Sequence, residues 1–169
     1  INGDSCGKCP SCLQHQSFNH VDTFYSYPIF KKNSSSTTLC TDYITEWKEF
    51  LQENTIENYE RWLSIIKNEN GQPRIFTQES DHIIRRMSLT AYSSKYKIHI
   101  MWLPEKMQPQ CANALLKIIE EPFEDSLFIL VSNNYLDILP TIYSRTQRIE
   151  LKKPSTSVVA NYLVERYGI

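Results

Sequence analysis

Four glycines are few for 169 residues, and none stands in the phosphate-cradling spacing GxxxxGK[ST]. No nucleotide is therefore expected to be bound through such a loop within this stretch. No apolar run approaches the length of a membrane span, and no signal-peptide pattern is present. A surplus of one charge is missing too: 18 basic and 19 acidic residues leave a net charge of −1. Without a basic surplus, strong nucleic-acid binding by this chain alone is not expected. The chain opens on Ile1 rather than Met, as a piece of a longer protein or a processed product does.

What is present has ordinary globular composition: 41% hydrophobic, 12% aromatic and 22% charged. That suffices for one domain with a real core. The five cysteines are unevenly spread, with Cys6, Cys9 and Cys12 clustered in "SCGKCPSC" (5–12). An odd count grouped as CxxCxxC favours a metal site in a reducing compartment, which places the chain in the cytoplasm. A structural zinc site takes four ligands. A ferredoxin-type cluster takes a further cysteine where Gln16 stands here, which argues against iron–sulfur. Cys40 is distant in sequence, and His15 and His20 are candidate substitutes for a fourth ligand. Free thiols remain the plain alternative.

The spacing of apolar residues divides the rest. "VDTFYSYPIF" (21–30) reads as a strand and "KKNSSSTT" (31–38) as a loop. Helices are expected over 41–54, 55–71 (with Gly71 as the stop signal) and 79–92, with a short extended piece, "RIFT", after Pro73. "KIHIMWL" (97–103) is nearly continuously apolar, as a strand buried on both faces is. A helix over 109–121 opens on Pro109 and ends before Pro122. "SLFILVSNN" (126–134) reads as another buried strand, "ILPTIYSR" (138–145) as a short helix or turn, and "RIEL" (148–151) as a last strand. A further helix is expected after Pro154. Alternation of strands and helices from 97 to 151 predicts an α/β fold with a parallel sheet covered by helices.

By periodicity alone, "ANALLKIIEEP" (112–122) is an amphipathic helix. As a word it resembles the "NALLKxLEEPP" helix of bacterial DNA polymerase III clamp-loader subunits, the gamma and delta-prime members of the AAA+ superfamily. The resemblance extends to "YKIHIMWLPEKM" (96–107), where the family has its magnesium-binding strand, and to "LFILVSNNYLDILPTIYSRTQRIEL" (127–151), which looks like the sensor strand followed by "LPTILSRCQ". The knuckle followed by "HVD" (20–22) looks like the family's zinc module, which ends in "HPD". Residues 38–76 match least.

The resemblance implies a three-layer core of P-loop/AAA+ type lacking its first strand and P-loop. A zinc knuckle (1–20) belongs to that partial core (1–153), and a helical lid domain starts at 154–169. It puts the first of four zinc cysteines upstream of Ile1. It sets Trp102 and Leu103 where the family's Asp–Glu pair holds magnesium and polarises the attacking water. Neither side chain can do either, so ATP hydrolysis by this subunit is not expected. Glu105 stands two or three positions on and matches a surface acid of the family.

In "YSRTQ" (143–147), Arg145 matches the family's trans arginine finger, which reaches the γ-phosphate in a neighbouring subunit. Thr146 replaces the usual Cys, and Ser144 is expected to orient the loop. Without the family context, Arg145 reads as a helix-end ion-pair residue. Ser132 and Asn133 stand at the family's polar sensor, with a strand-end cap as the plain reading. Arg85 and Arg86 read as a solvated face, and Glu120 and Glu121 as surface or interface charges.

Lost acids beside a retained arginine point to the delta-prime branch: a non-catalytic subunit of the loader. Its implied partners are gamma/tau and delta subunits and the sliding clamp, with primer–template DNA met through the assembly. A catalytic gamma-type ATPase and a free-standing zinc-binding interaction module are the alternatives.

Overall fold

The apolar run at 97–103 becomes the middle strand of a three-stranded parallel sheet. The computed structural model describes residues 4–32, 37–52, 58–67 and 72–168. In it β1 (Thr23–Ser26), β2 (Lys97–Trp102) and β3 (Ser126–Val131) lie in the order β1-β2-β3. Ile98 is level with Thr23 on one side and Leu127 on the other. Seven helices accompany the strands among the described residues: α1 (Pro10–Gln16), α2 (Ile44–Gln52), α3 (Tyr59–Ile66), α4 (Thr77–Ser88), α5 (Pro109–Glu120), the single turn α6 (Pro140–Tyr143) and α7 (Thr156–Tyr167). None is long and apolar enough to cross a membrane.

Side chains alternate across a strand, so β2 feeds two cores. Met101 packs with Ile83 and Met87 of α4 and with Leu115 and Ile119 of α5. Trp102, the next residue, joins the opposite cluster of Tyr27, Trp47, Phe50 and Trp62 under α2 and α3. Trp62 is fully buried, and its indole N–H donates to the Pro28 carbonyl at 2.7 Å. The layers are therefore helices, sheet, helices. Helix starts follow the sequence chemistry. Asn58 caps α3 by accepting from the Arg61 N–H at 2.8 Å, and Pro109 occupies the first turn of α5.

Several expectations need correction. The knuckle segment holds a helix that was not expected, α1, which Pro10 starts. The helix expected from 41 opens with a 3₁₀ turn, Cys40–Tyr43, and residues 53 and 54 lie outside the described set. The helix over 55–71 is described only as Tyr59–Ile66; residues 55–57 and Gly71 lie outside it. The α4 helix begins two residues early, at Thr77, which puts Glu79 in its first turn. That carboxylate is 2% exposed and accepts from the Ser26 hydroxyl at 3.1 Å and the Cys40 N–H at 2.8 Å.

β3 is not buried on both faces. Phe128 and Leu130 pack on the α4–α5 core, while Leu127, Ile129 and Val131 stay 39–47% exposed. The helices on their side, α2 and α3, gather over β1 and β2. "RIEL" forms no strand: Ile149 and Leu151 are 80% and 90% exposed. The segment finds no ladder partner, and Arg148 instead pairs with Glu150 at 2.7 Å.

Buried polar groups, His99 and Asp22 among them, set the acid sensitivity of this core. His99 is 2% exposed and, among the described residues, has no hydrogen-bond partner at either ring nitrogen. Burial holds its pKa down at about 4, against 6.5 ordinarily. Asp22 is pushed up by burial. The N–H groups of Tyr92, Ser93 and Ser94, at 2.7, 2.7 and 2.9 Å, more than offset this and bring it to about 2. Both folded pKa values are lowered, so both groups lose stability as pH falls. The unfolded chain takes up a proton at His99 that the fold refuses. Urea midpoints of this chain should therefore drop from pH 6.5 to 4, by a free energy of about 3 kcal/mol. A further drop at lower pH belongs to Asp22 and to Glu79, whose carboxyl burial pushes up but His82 and the Cys40 N–H hold down on balance. In His99→Phe the upper limb should flatten, and a wild-type midpoint constant between pH 6.5 and 4 contradicts the assignment.

Candidate functional site

Ligand chemistry in parallel α/β sheets gathers beyond the carboxyl ends of the strands. At that edge the Leu103 N–H donates to the Val131 carbonyl at 2.8 Å, so the exits of β2 and β3 lie side by side. Trp102 turns into the aromatic core, with ring centroids 5.1 Å from Phe50 and 5.6 Å from Trp47. Leu103 is 2% exposed and adopts a left-handed backbone, φ 57°, rare for a branched side chain. Neither offers an oxygen to a cation. Glu105, on the turn Pro104–Lys106, has its Oε2 buried without a partner among the described residues. The Ser132 hydroxyl accepts from the Asn134 N–H at 3.1 Å, a strand-end turn. Asn133 is exposed beside it.

A second group forms where α6 meets the end of α5. Pro140 starts α6, Ser144 caps it, and Arg145 follows. The Arg145 Nε donates to Glu120 Oε2 at 2.7 Å, and Nη1 donates to the Thr141 carbonyl at 3.0 Å. Contacts of the Ser144 hydroxyl are long: 3.5 Å from Arg145 Nη1 and 3.4 Å to the Thr141 carbonyl. Ser144 thus holds the loop weakly. Close by in sequence, the Arg148 guanidinium lies 3.8 Å over the Tyr135 ring, which stacks on Tyr143 at 5.7 Å. The Glu120–Arg145 pair was missed in the sequence because 25 residues separate its members. As the Arg145 and Glu120 side chains are 33% and 56% exposed, the pair contributes at most about 1 kcal/mol to stability.

The third group is the cysteine knuckle. Across the loop that enters α1 and the first turn of that helix, the sulfurs of Cys6, Cys9 and Cys12 lie within 4.8 Å of one another. Cys6 and Cys12 are 3.7 Å apart, close to the roughly 3.8 Å that tetrahedral zinc–thiolate bonds impose. Backbone N–H groups of Lys8 and Cys9 draw the Cys6 thiol down to about 7, which favours the ligating thiolate. Among the described residues neither His15, His20 nor Cys40 joins the group. His15 stacks on His20 at 4.1 Å, and His20 Nδ1 accepts from the Asp22 N–H at 3.2 Å. The three thiols fit zinc, and as a structural ion it would tie the loop to α1. Titration with cobalt(II) as a probe should raise a thiolate charge-transfer band that Cys9→Ser weakens; no band at saturating cobalt contradicts the site.

A family model described as "DNA polymerase III, delta subunit" matches residues 1–155. The DNA polymerase III subunit delta' of Haemophilus influenzae is 23% identical over 164 residues, covering 97% of this chain and 38% of that protein. The subunit delta' of Buchnera aphidicola is 32% identical over 107 residues, 63% of this chain and 32% of that protein. The chain thus spans well under half the length of these relatives. Among solved structures, a DNA polymerase III gamma subunit-related protein of Thermotoga maritima aligns with a TM-score of 0.52 and 27% identity, over 60% of this chain and 33% of that one.

Proposed function

The chain belongs to the DNA polymerase III delta-subunit family, and from that premise we propose that it is part of a non-catalytic clamp-loader subunit of the delta-prime kind. The observation that carries the reading is that the partly buried Trp102 packs into the aromatic cluster and Leu103 is buried. A P-loop ATPase needs carboxylates there, one for magnesium and one for water. This chain uses both positions for packing.

Its contribution to ATP turnover is then made outward. Arg145 acts as a trans finger: a planar, permanently charged guanidinium that meets charge developing on the γ-phosphate in a neighbouring subunit. Ser144 steadies its loop, and Ser132 and Asn133 are vestiges of the sensor. The turn that Ser132 accepts is the plainer role of that residue. Zinc, where bound, is structural. The partial core covers 1–153, and the lid domain begins at 154. Exposed Val158 and Tyr162 on α7 support that boundary, since they offer a further domain something to bury. The partners are gamma/tau and delta subunits and the sliding clamp, in a cytoplasmic setting. With a net charge of −1, primer–template DNA is engaged by the assembly rather than by this chain.

Full-length protein purified alone should not hydrolyse ATP above a P-loop-free control, and should co-purify with gamma/tau and delta. Turnover by the isolated protein supports a gamma-type ATPase instead, with Glu105 as the first candidate base. Failure to co-purify supports an independent zinc module.

A further inference from the structure

We propose that Glu120 is the positioning residue of Arg145, holding the guanidinium by its Nε so that its Nη2 edge points to an incoming phosphate oxygen. This rests on the finger reading above. Arginine carries its fork on a flexible stem, so an unheld guanidinium spends most of its time out of line. Glu120 Oε2 takes Nε at 2.7 Å and the Thr141 carbonyl takes Nη1 at 3.0 Å. Among the described residues Nη2 has no partner. One edge is anchored, and the other is open on a side chain 33% exposed.

The anchor is firm because Glu120 ends a helix whose preceding turn is packed: Leu115, Ile118 and Ile119 are 0%, 6% and 8% exposed. Thr141 and Ser144 belong to Arg145's own segment, which the fully buried Ile142 seats on the α4–α5 core. Among the described residues, Glu120 is the one group outside this segment that hydrogen-bonds the guanidinium. Its placement is also electrostatically odd. A carboxylate at a helix C-terminus faces the negative end of the dipole, and Arg145 is the cation that offsets it. The single bond to Nε neutralises part of the charge without covering the Nη edge that a phosphate needs.

The test uses the full-length subunit assembled with its ATP-binding partners, clamp and primer–template DNA, and reads kcat and KM for ATP. The finger-dependent rate is the wild-type rate minus that of the Arg145→Ala assembly. Glu120→Ala should lower it about tenfold with KM unchanged. Glu120→Gln, which keeps an acceptor for Nε, should recover most of the loss. In the Arg145→Ala background, Glu120→Ala should change nothing further. A full finger-dependent rate in Glu120→Ala overturns the positioning role while leaving the finger intact. A further loss in the Arg145→Ala background overturns it too, because Glu120 then acts through the fold. If Arg145→Ala itself has no effect, the finger fails and the positioning role fails with it.

Discussion

Trp102→Asp combined with Leu103→Glu, which writes the absent acids back into the chain, is expected to unfold it rather than make an ATPase. Trp102 packs against Phe50, Trp47, Trp62 and Tyr59 at centroid distances of 5.1 to 6.4 Å. Removing a packed aromatic costs about 3–5 kcal/mol. Leu103 is 2% exposed, so Glu there loses a buried leucine and adds a buried carboxylate with no cation facing it. Together the losses reach roughly 8 kcal/mol or more, comparable with the whole stability of an ordinary domain. Circular dichroism and the fluorescence of Trp47 and Trp62 read the outcome. A folded double variant that hydrolyses ATP, tested in the full-length protein, would show that these positions face a nucleotide rather than a core.

Much of this architecture was legible because it is local. The apolar run at 97–103 and the stripe of Ala112, Leu115 and Ile119 specify β2 and α5 directly, and alternation predicts a parallel sheet. The three clustered cysteines, likewise close in sequence, meet in space as expected. What failed depended on distant partners. β3 reads as buried from its composition, yet one face stays open because α2 and α3 pack elsewhere. "RIEL" has strand-forming residues, but a strand exists only where another completes its hydrogen bonds. Nothing beside Glu79 in sequence shows that it is buried, since its donors come from the end of β1 and from Cys40. Glu120 likewise appeared to be one of two surface acids. Nothing within a helical turn of it hints that Arg145 arrives from the next loop.

The second large effect belongs to Arg145. Its ion pair with Glu120 is surface-exposed, so Arg145→Ala should leave folding, zinc binding and assembly intact. Removal of an arginine finger costs about 10³-fold or more at the site it serves. On the proposed finger role, hydrolysis at the ATP site that Arg145 would serve should therefore nearly vanish, while the remaining sites continue. Arg145→Lys should rescue little, since a point charge cannot reproduce the planar fork. The decisive measurement is clamp- and primer–template-stimulated ATP hydrolysis by the loader reassembled with full-length Arg145→Ala subunit. A trans finger requires the rate to fall by the full share of the facing site with assembly unchanged. A rate equal to wild type in an intact assembly contradicts it.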